Sequence, residues 1–305
     1  MATERPTLAK GEMIAGPRNG ITWKKIEEEI EKRNLRSGRN FRLPSRRNGV
    51  ITIESYDFTK RSGEKQLNLE GKHDVIIQYC KFGNKSTHGQ GLNIAGKDTR
   101  NVTVQYCIFE DFSYSGDNEG EPLKIGDSQD SSQIFECKVK NNIFRKCKQD
   151  DPELISIKAC KNTIEDNFFI DNKECNVTVR HGGLNRIEHN YFKGSNGVRI
   201  HGRGNYVGYN CFEDNKEEGK FSPITVRGGK DPEDENWENN KPKKNKRSSH
   251  HETAPARDTV IEGNEFKDCK DKIKDFKDGG EDNKPTGTEE RNNNRVEKFT
   301  FDRGD

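Results

Sequence analysis

Asn167-Phe168-Phe169, then Val177-Thr178-Val179-Arg180; Asn190-Tyr191-Phe192, then Val198-Arg199-Ile200-His201; and Asn210-Cys211-Phe212, opening the next round: between residues 167 and 212 one pattern repeats. An Asn-x-Phe unit is followed by a short segment that alternates aliphatic with polar. Alternation of period two marks a β-strand with one buried face. Its regular return marks a solenoid, in which each coil packs only on its neighbours.

Working outward, the unit recurs at Cys80-Lys81-Phe82, Cys107-Ile108-Phe109, Asn142-Ile143-Phe144 and Asn264-Glu265-Phe266, with Phe-to-Phe steps of 27, 35, 25, 23, 20 and 54 residues. Steps of about 20–30 residues suit one coil, and the longer ones leave room for inserted loops. The alternating strands align as Leu123-Lys124-Ile125-Gly126, Ile155-Ser156-Ile157-Lys158, Val177-Thr178-Val179-Arg180, Val198-Arg199-Ile200-His201 and Ile224-Thr225-Val226-Arg227. The expected fold is all-β: a single-stranded right-handed parallel β-helix with Asn ladders at the bends and Phe, Cys and aliphatic stacks inside. A β-sandwich would want hairpin signals such as Asn-Gly between strands, and the sequence offers few.

Composition agrees. Of 305 residues, 28% are hydrophobic and 35% charged, and Lys+Arg 54 nearly cancels Asp+Glu 52. A coil needs only one inward residue in two, so a thin core suffices; disorder would call for a large net charge as well. No apolar run reaches a membrane span, and the start, Met1-Ala2-Thr3-Glu4-Arg5-Pro6, has no apolar signal region. The eight cysteines form no CxxC pair, against a zinc ribbon; Cys80 and Cys107, where later coils have Asn, read as buried free thiols. A net charge of +2 does not point to nucleic acid.

Three segments are expected. Residues 1–45 contain a helix over about 21–34, with Thr22 as N-cap and Trp23, Ile26 and Ile30 on one face; it would plug the N-terminal end of the solenoid. The β-helix occupies 46–270, with residues 230–257, including the basic run Lys243–Arg247, as a solvated loop. A charged tail covers 271–305.

The last outward positions of the aligned strands are Gly126, Lys158, Arg180, His201 and Arg227. Adjacent strands lie about 4.8 Å apart, so Lys158 and Arg180 would stand side by side in a cationic stripe suited to a long polyanion. Asp151 and Glu153 precede the Lys158 strand, and Asn118 lies in the preceding coil; three hard oxygen donors can hold Ca²⁺. Strand parity would turn Glu153 inward, so this reading requires a bulge between Glu153 and Lys158.

Residues 118 to 213 resemble polysaccharide lyase family 6, the alginate lyases and chondroitinase B. The matching stretches are Asn118-Glu119-Gly120-Glu121-Pro122-Leu123-Lys124-Ile125-Gly126, Glu153-Leu154-Ile155-Ser156-Ile157-Lys158-Ala159-Cys160-Lys161-Asn162-Thr163, Val179-Arg180-His181-Gly182, Asn190-Tyr191-Phe192-Lys193-Gly194 and Gly197-Val198-Arg199-Ile200-His201-Gly202. The resemblance implies Lys158 as catalytic base and Arg180 as its acid partner. It implies Asn118, Asp151 and Glu153 as Ca²⁺ ligands, with Glu121 as a substitute for Asn118. His181, Arg199, His201, Glu213 and Arg227 are the substrate-binding candidates. Asp151 departs from the family's usual Glu.

The implied reaction is β-elimination on an acidic polysaccharide, alginate first and dermatan sulfate as the alternative. A lysine base must be neutral, against a free value near 10.4, and neighbouring positive charge favours the neutral form. A monomer or weak homo-oligomer is expected, with no nucleic-acid or membrane partner, and a secreted or periplasmic location follows from the family alone. A non-catalytic carbohydrate-binding β-helix would need the cations but not the paired Lys158 and Arg180. A pectin-type glycosidase would need outward Asp residues that the aligned strands lack.

Overall fold

The computed structural model describes residues 15–116, 119–148, 153–173, 175–215, 222–229, 254–276 and 285–296. Through these residues the chain winds along three parallel sheets of ten, nine and eight strands, visited in rotation. Lys138–Lys140 lies in the nine-stranded sheet, Ile143–Arg145 in the ten-stranded and Glu153–Ile157 in the eight-stranded. Thr163–Glu165 then returns beside Lys138–Lys140, one coil on. This is the parallel β-helix that the repeat predicts.

Each bend from the nine- to the ten-stranded sheet rests on one residue in the left-handed region: Asn141, Asp166, His189 and Tyr209 at φ 56, 55, 55 and 53°. Such residues carry a cost of order 1 kcal/mol, borne because the next residue belongs to a buried amide ladder. Asn142, Asn167, Asn190, Asn210 and Asn264 each donate Nδ2 to the Oδ1 of the following member, ending on Asn293, at 3.0 Å every time. Where Cys107 holds the position, its amide still donates to Asn142 Oδ1 at 2.9 Å. All eight cysteines are free and buried.

The interior is a phenylalanine stack. Phe58, Phe82, Phe109, Phe144, Phe169, Phe192, Phe212 and Phe266 lie face to face with centroid separations of 4.5–5.2 Å. Aliphatic rows complete it, including Ile155, Val177, Val198 and Ile224. Phe41 closes the stack edge-on against Phe58 at 5.2 Å.

The helix is present but is not an end plug. It spans Trp23–Glu31, with Thr22 Oγ1 accepting from the Lys25 amide at 3.2 Å, and it lies along the flank. Ile26 and Ile30 pack on Ile108, Ile143, Phe168 and Tyr191, the outward residues of four successive coils of the ten-stranded sheet. Trp23 stacks on Tyr191 with centroids 5.9 Å apart. Ahead of the helix, the Gly16 amide donates to Tyr209 O at 2.7 Å and Arg18 forks onto Asp166 and Glu165 at 2.8 and 2.7 Å. Behind it, Arg33 lies 3.6 Å over the Tyr79 ring. An apolar helix face needs apolar cover, and the flank supplies a whole row of it.

The expected segment boundaries also shift. Arg36–Ser37 already pairs with Tyr56–Asp57, so the coils begin before residue 46. At the other end Ile273–Phe276, Glu289–Arg291 and Asn294–Arg295 add strands to the three sheets. The stretch from 271 is therefore not simply a tail: ladder hydrogen bonding through Asn293 outweighs its charged composition. Most of the expected 230–257 loop, including Lys243–Arg247, lies outside the described residues. No helix among the described residues is long and apolar enough to cross a membrane.

Candidate functional site

The outer face of the eight-stranded sheet carries the site. Ile157 pairs with Val179, Val179 with Ile200, and Ile200 with Val226. The residues that follow these inward positions, Lys158, Arg180, His201 and Arg227, therefore form one outward row. Backbone bonds hold it: the amides of Lys158, Arg180 and His201 donate to Ile125, Ile157 and Val179 carbonyls at 2.7, 2.8 and 2.9 Å. Lys158 and Arg180 thus rise from neighbouring strands, with backbones about 4.8 Å apart. Two residues earlier runs a second outward row, Lys124, Ser156, Thr178, Arg199 and Thr225, also in register.

Glu153 joins these rows through a bulge. It pairs with Asn176, whereas Ile155 pairs with Val177, so the register shifts across Leu154. The extra residue lets Leu154 and Ile155 both enter the core and turns Glu153 to the outer face. There its Oε1 accepts from Arg199 Nη2 at 2.8 Å and from Arg180 Nη1 at 3.3 Å, with no solvent exposure of the carboxylate residue. Burial works against the charged form, but the Arg180, Arg199 and Lys158 charges outweigh it and hold the carboxyl well below its usual range.

His201 has the opposite problem. It is 5% exposed, and burial together with the positive charges of Arg199, Arg227 and Arg180 keeps its imidazole neutral, far below the ordinary histidine range. His181 is equally buried, its amide on Ile157 O at 3.2 Å. The structure thus brings together Lys158, Arg180, His181, Arg199, His201, Arg227 and Glu153.

Glu213 does not belong with them. It lies on the ten-stranded sheet, in Cys211–Glu213, where Tyr191 and Lys267 take its carboxylate. As the residue after the stacked Phe212, it faces out of that sheet rather than into the groove. Asn118 and Asp151 lie outside the described residues. Glu121 is described: it is buried, and Gln90 Nε2 donates to its Oε2 at 3.1 Å.

Two features went unread in the sequence. Lys124 is almost wholly buried and held by Asp127 at 2.5 Å and Glu119 at 3.8 Å. One ligand atom from each of Glu64, His88 and Glu119 lies within 4.8 Å of the others, on a partly exposed rim that could hold a metal ion. The signal was positional, since the three residues stand just before Leu67, Leu92 and Leu123, the opening residues of successive strands in one sheet.

The donor chemistry at Glu153 suits a hard cation: an ionised carboxylate on the outer face beside the outward row. Both described guanidinium contacts address the same oxygen, Oε1. Among the described residues Glu153 is the one member of the expected ligand set.

A family model described as Chondroitinase B matches residues 45–284. Among solved structures, the chain is similar to a PL6 alginate lyase in complex with a trisaccharide, at 18% identity over 87% of this chain and 64% of that one, with a TM-score of 0.59. It is similar to the PL6 family alginate lyase AlyGC at 19% identity over 71% of this chain and 34% of that one, TM-score 0.51. A mannuronic acid specific polysaccharide family 6 lyase from human gut microbiota aligns at 18% identity over 75% of this chain and 60% of that one, TM-score 0.49. The chain therefore spans less than two thirds of the length of these structures. At such identities the likeness concerns the fold. No curated protein matches the chain.

Proposed function

The chain belongs to the chondroitinase B family, and on that premise we propose that it is a polysaccharide lyase of the family 6 type, cleaving a uronate polymer by β-elimination. The observation that carries the reading is the register of Lys158 beside Arg180 on adjacent strands, with buried Glu153 reaching Arg180 from behind.

Lys158 Nζ, in its neutral form, takes the C5 proton of a uronate unit, and the C4–O bond breaks to leave an unsaturated ring on one fragment. Arg180 does not readily release a proton; its guanidinium steadies the charge on the departing oxygen, which water protonates. Arg199 and Arg227 orient substrate carboxylates, and neutral His201 offers a hydrogen bond without adding charge. Glu153, with Asn118 and Asp151, would hold Ca²⁺, which when bound supplies neutralisation of the uronate carboxylate and of the charge that develops beside it.

Alginate is the proposed substrate, supported by the printed activities of the structural neighbours. Dermatan sulfate is the second reading, supported by the family description. Uronate polymers occur outside cells, which supports a secreted or periplasmic place of action. The test is to mix the protein with alginate and dermatan sulfate separately and follow the ultraviolet absorbance of unsaturated uronate ends. Product is expected from alginate, lost in Lys158→Ala and on chelation. No product from any uronate polymer would sink the proposal.

A further inference from the structure

Another amide ladder stands at the bend where each coil leaves the Lys158 row for the nine-stranded sheet. The Cys137 amide donates to Asn162 Oδ1 at 3.1 Å. Asn162 donates its amide and its Nδ2 to Asn185 Oδ1 at 2.9 and 3.0 Å, and the Asn185 amide donates to Asn205 Oδ1 at 3.0 Å. All three asparagines are buried, and they follow Lys158, Arg180 and His201 along the chain by four or five residues. The rungs differ in what else they hold. Asn162 Nδ2 also donates to Ala159 O at 3.1 Å, the carbonyl next after Lys158, and Asn205 Nδ2 donates to His201 O at 2.9 Å. Among the described residues Asn185 Nδ2, equally buried, has no such partner.

The Ala159 carbonyl is also where the next coil touches this one. Gly182, two residues after Arg180, sits at φ 78°, and a Cβ there would lie 2.4 Å from Ala159 O. Backbone meets backbone at that point, which only a glycine allows. We infer that Asn162 is a positioning residue for the reaction: by fixing the Ala159 carbonyl it sets the spacing between the Lys158 turn and the Arg180 turn. The inference rests on the proposed lyase reading and adds a residue that stands behind the reacting pair. The chain of contacts is short, from Asn162 to Ala159 O to the Gly182 backbone, with Lys158 one residue from the first contact and Arg180 two from the second. Elsewhere the turn is bonded at its ends, the Lys158 amide to Ile125 O at 2.7 Å and the Lys161 amide to Gly183 O at 3.1 Å. The Ala159 peptide between them is held by Asn162. A displacement of ~1 Å between reacting groups costs about 10²-fold in rate, whereas substrate gripped by Arg199 and Arg227 on other strands would bind as before.

The test is steady-state kinetics on the uronate polymer that the wild-type protein cleaves, with a melting curve for each variant. Asn162→Ala and Asn185→Ala each remove one rung of the same ladder, so both should lower the thermal midpoint by comparable amounts. Only the first removes the brace on Ala159. In Asn162→Ala kcat should fall at least tenfold with KM within twofold of wild type; in Asn185→Ala both should stay within twofold. Gly182→Ala, which presses a methyl group onto Ala159 O, should also lower kcat at least tenfold. Should Asn162→Ala not fold, Asn162→Ser takes its place. Ser195 already forms a rung of a neighbouring ladder, accepting from the Asn172 amide at 3.2 Å, and its hydroxyl reaches the carbonyl two residues back, Lys193, at 3.4 Å; Ala159 is three back from 162. Equal kcat in the Asn162 and Asn185 variants, or a loss confined to KM, overturns the positioning role while leaving the lyase reading intact. Absence of unsaturated product from the wild-type protein on every uronate polymer overturns both.

Discussion

Arg199 and Arg180, on adjacent strands, donate to the same carboxylate oxygen of Glu153, at 2.8 and 3.3 Å. One buried acid thereby gathers two guanidiniums whose backbones the solenoid spaces one coil apart. Glu153 is accordingly both a site residue and a structural one.

Removing it leaves two arginines crowded without their counter-charge. Glu153→Gln is expected to lower stability by about 3 kcal/mol, the low end for breaking a buried pair because Arg180 keeps contact with water. Chemical denaturation with an unchanged m-value would measure it; a change under 1 kcal/mol would contradict the pairing.

Acid should act in two windows. His201 is held below its ordinary value of 6.5, so the unfolded chain takes that proton first and stability falls as pH drops below about 6.5. Glu153 is held below its ordinary 4.5, to about 2, so its contribution is complete above 4.5 and is lost as pH falls toward 2. Thermal midpoints from pH 8 to 2 should therefore show two declines. His201→Gln should shrink the upper one, leaving the part due to His189, whose imidazole burial also holds below its ordinary value, and Glu153→Gln should shrink the lower.

Lys158→Ala should reduce turnover about 10²- to 10⁴-fold, the usual range for a general base. Its stability should stay within about 0.5 kcal/mol, as for a partly exposed side chain away from the core. Steady-state kinetics beside a melting curve separates this from a folding defect.

The amide ladder makes a prediction away from the site. Asn190 donates to the Ile164 and Glu188 carbonyls at 2.9 and 3.0 Å and to Asn210 Oδ1 at 3.0 Å. Asn190→Ala strands these buried acceptors and should cost about 2–4 kcal/mol, read by denaturation. Asn142→Cys should cost less, since Cys107 already occupies an equivalent bend.

Much of this was legible in the residues. The Asn-x-Phe units marked the ladder and the ring stack, because both need the same side chain at the same bend in every coil. Alternation in Ile155–Lys158 and Val177–Arg180 was enough to set Lys158 beside Arg180. It also showed that Glu153 needed a bulge, though not that Leu154 would be the extra residue, since that depends on how the core absorbs two adjacent aliphatics. The seat of the helix was missed, yet its signal lay in the middle residue of the units: Ile108, Ile143, Phe168 and Tyr191 are apolar where a solvated strand would be polar. Glu213 entered through the family resemblance alone, while its place after Phe212 already put it on another sheet.

The flank-lying helix has a consequence for how the molecule is made. Gly16 bonds to Tyr209, and Trp23 stacks on Tyr191, partners that leave the ribosome long after the first residues do. Coils can stack in order of synthesis, each on the last, and the helix's apolar face is covered stepwise, by Ile108 and Ile143 first and by Phe168 and Tyr191 later. A chain halted before Tyr191 would leave Trp23 without its stacking partner.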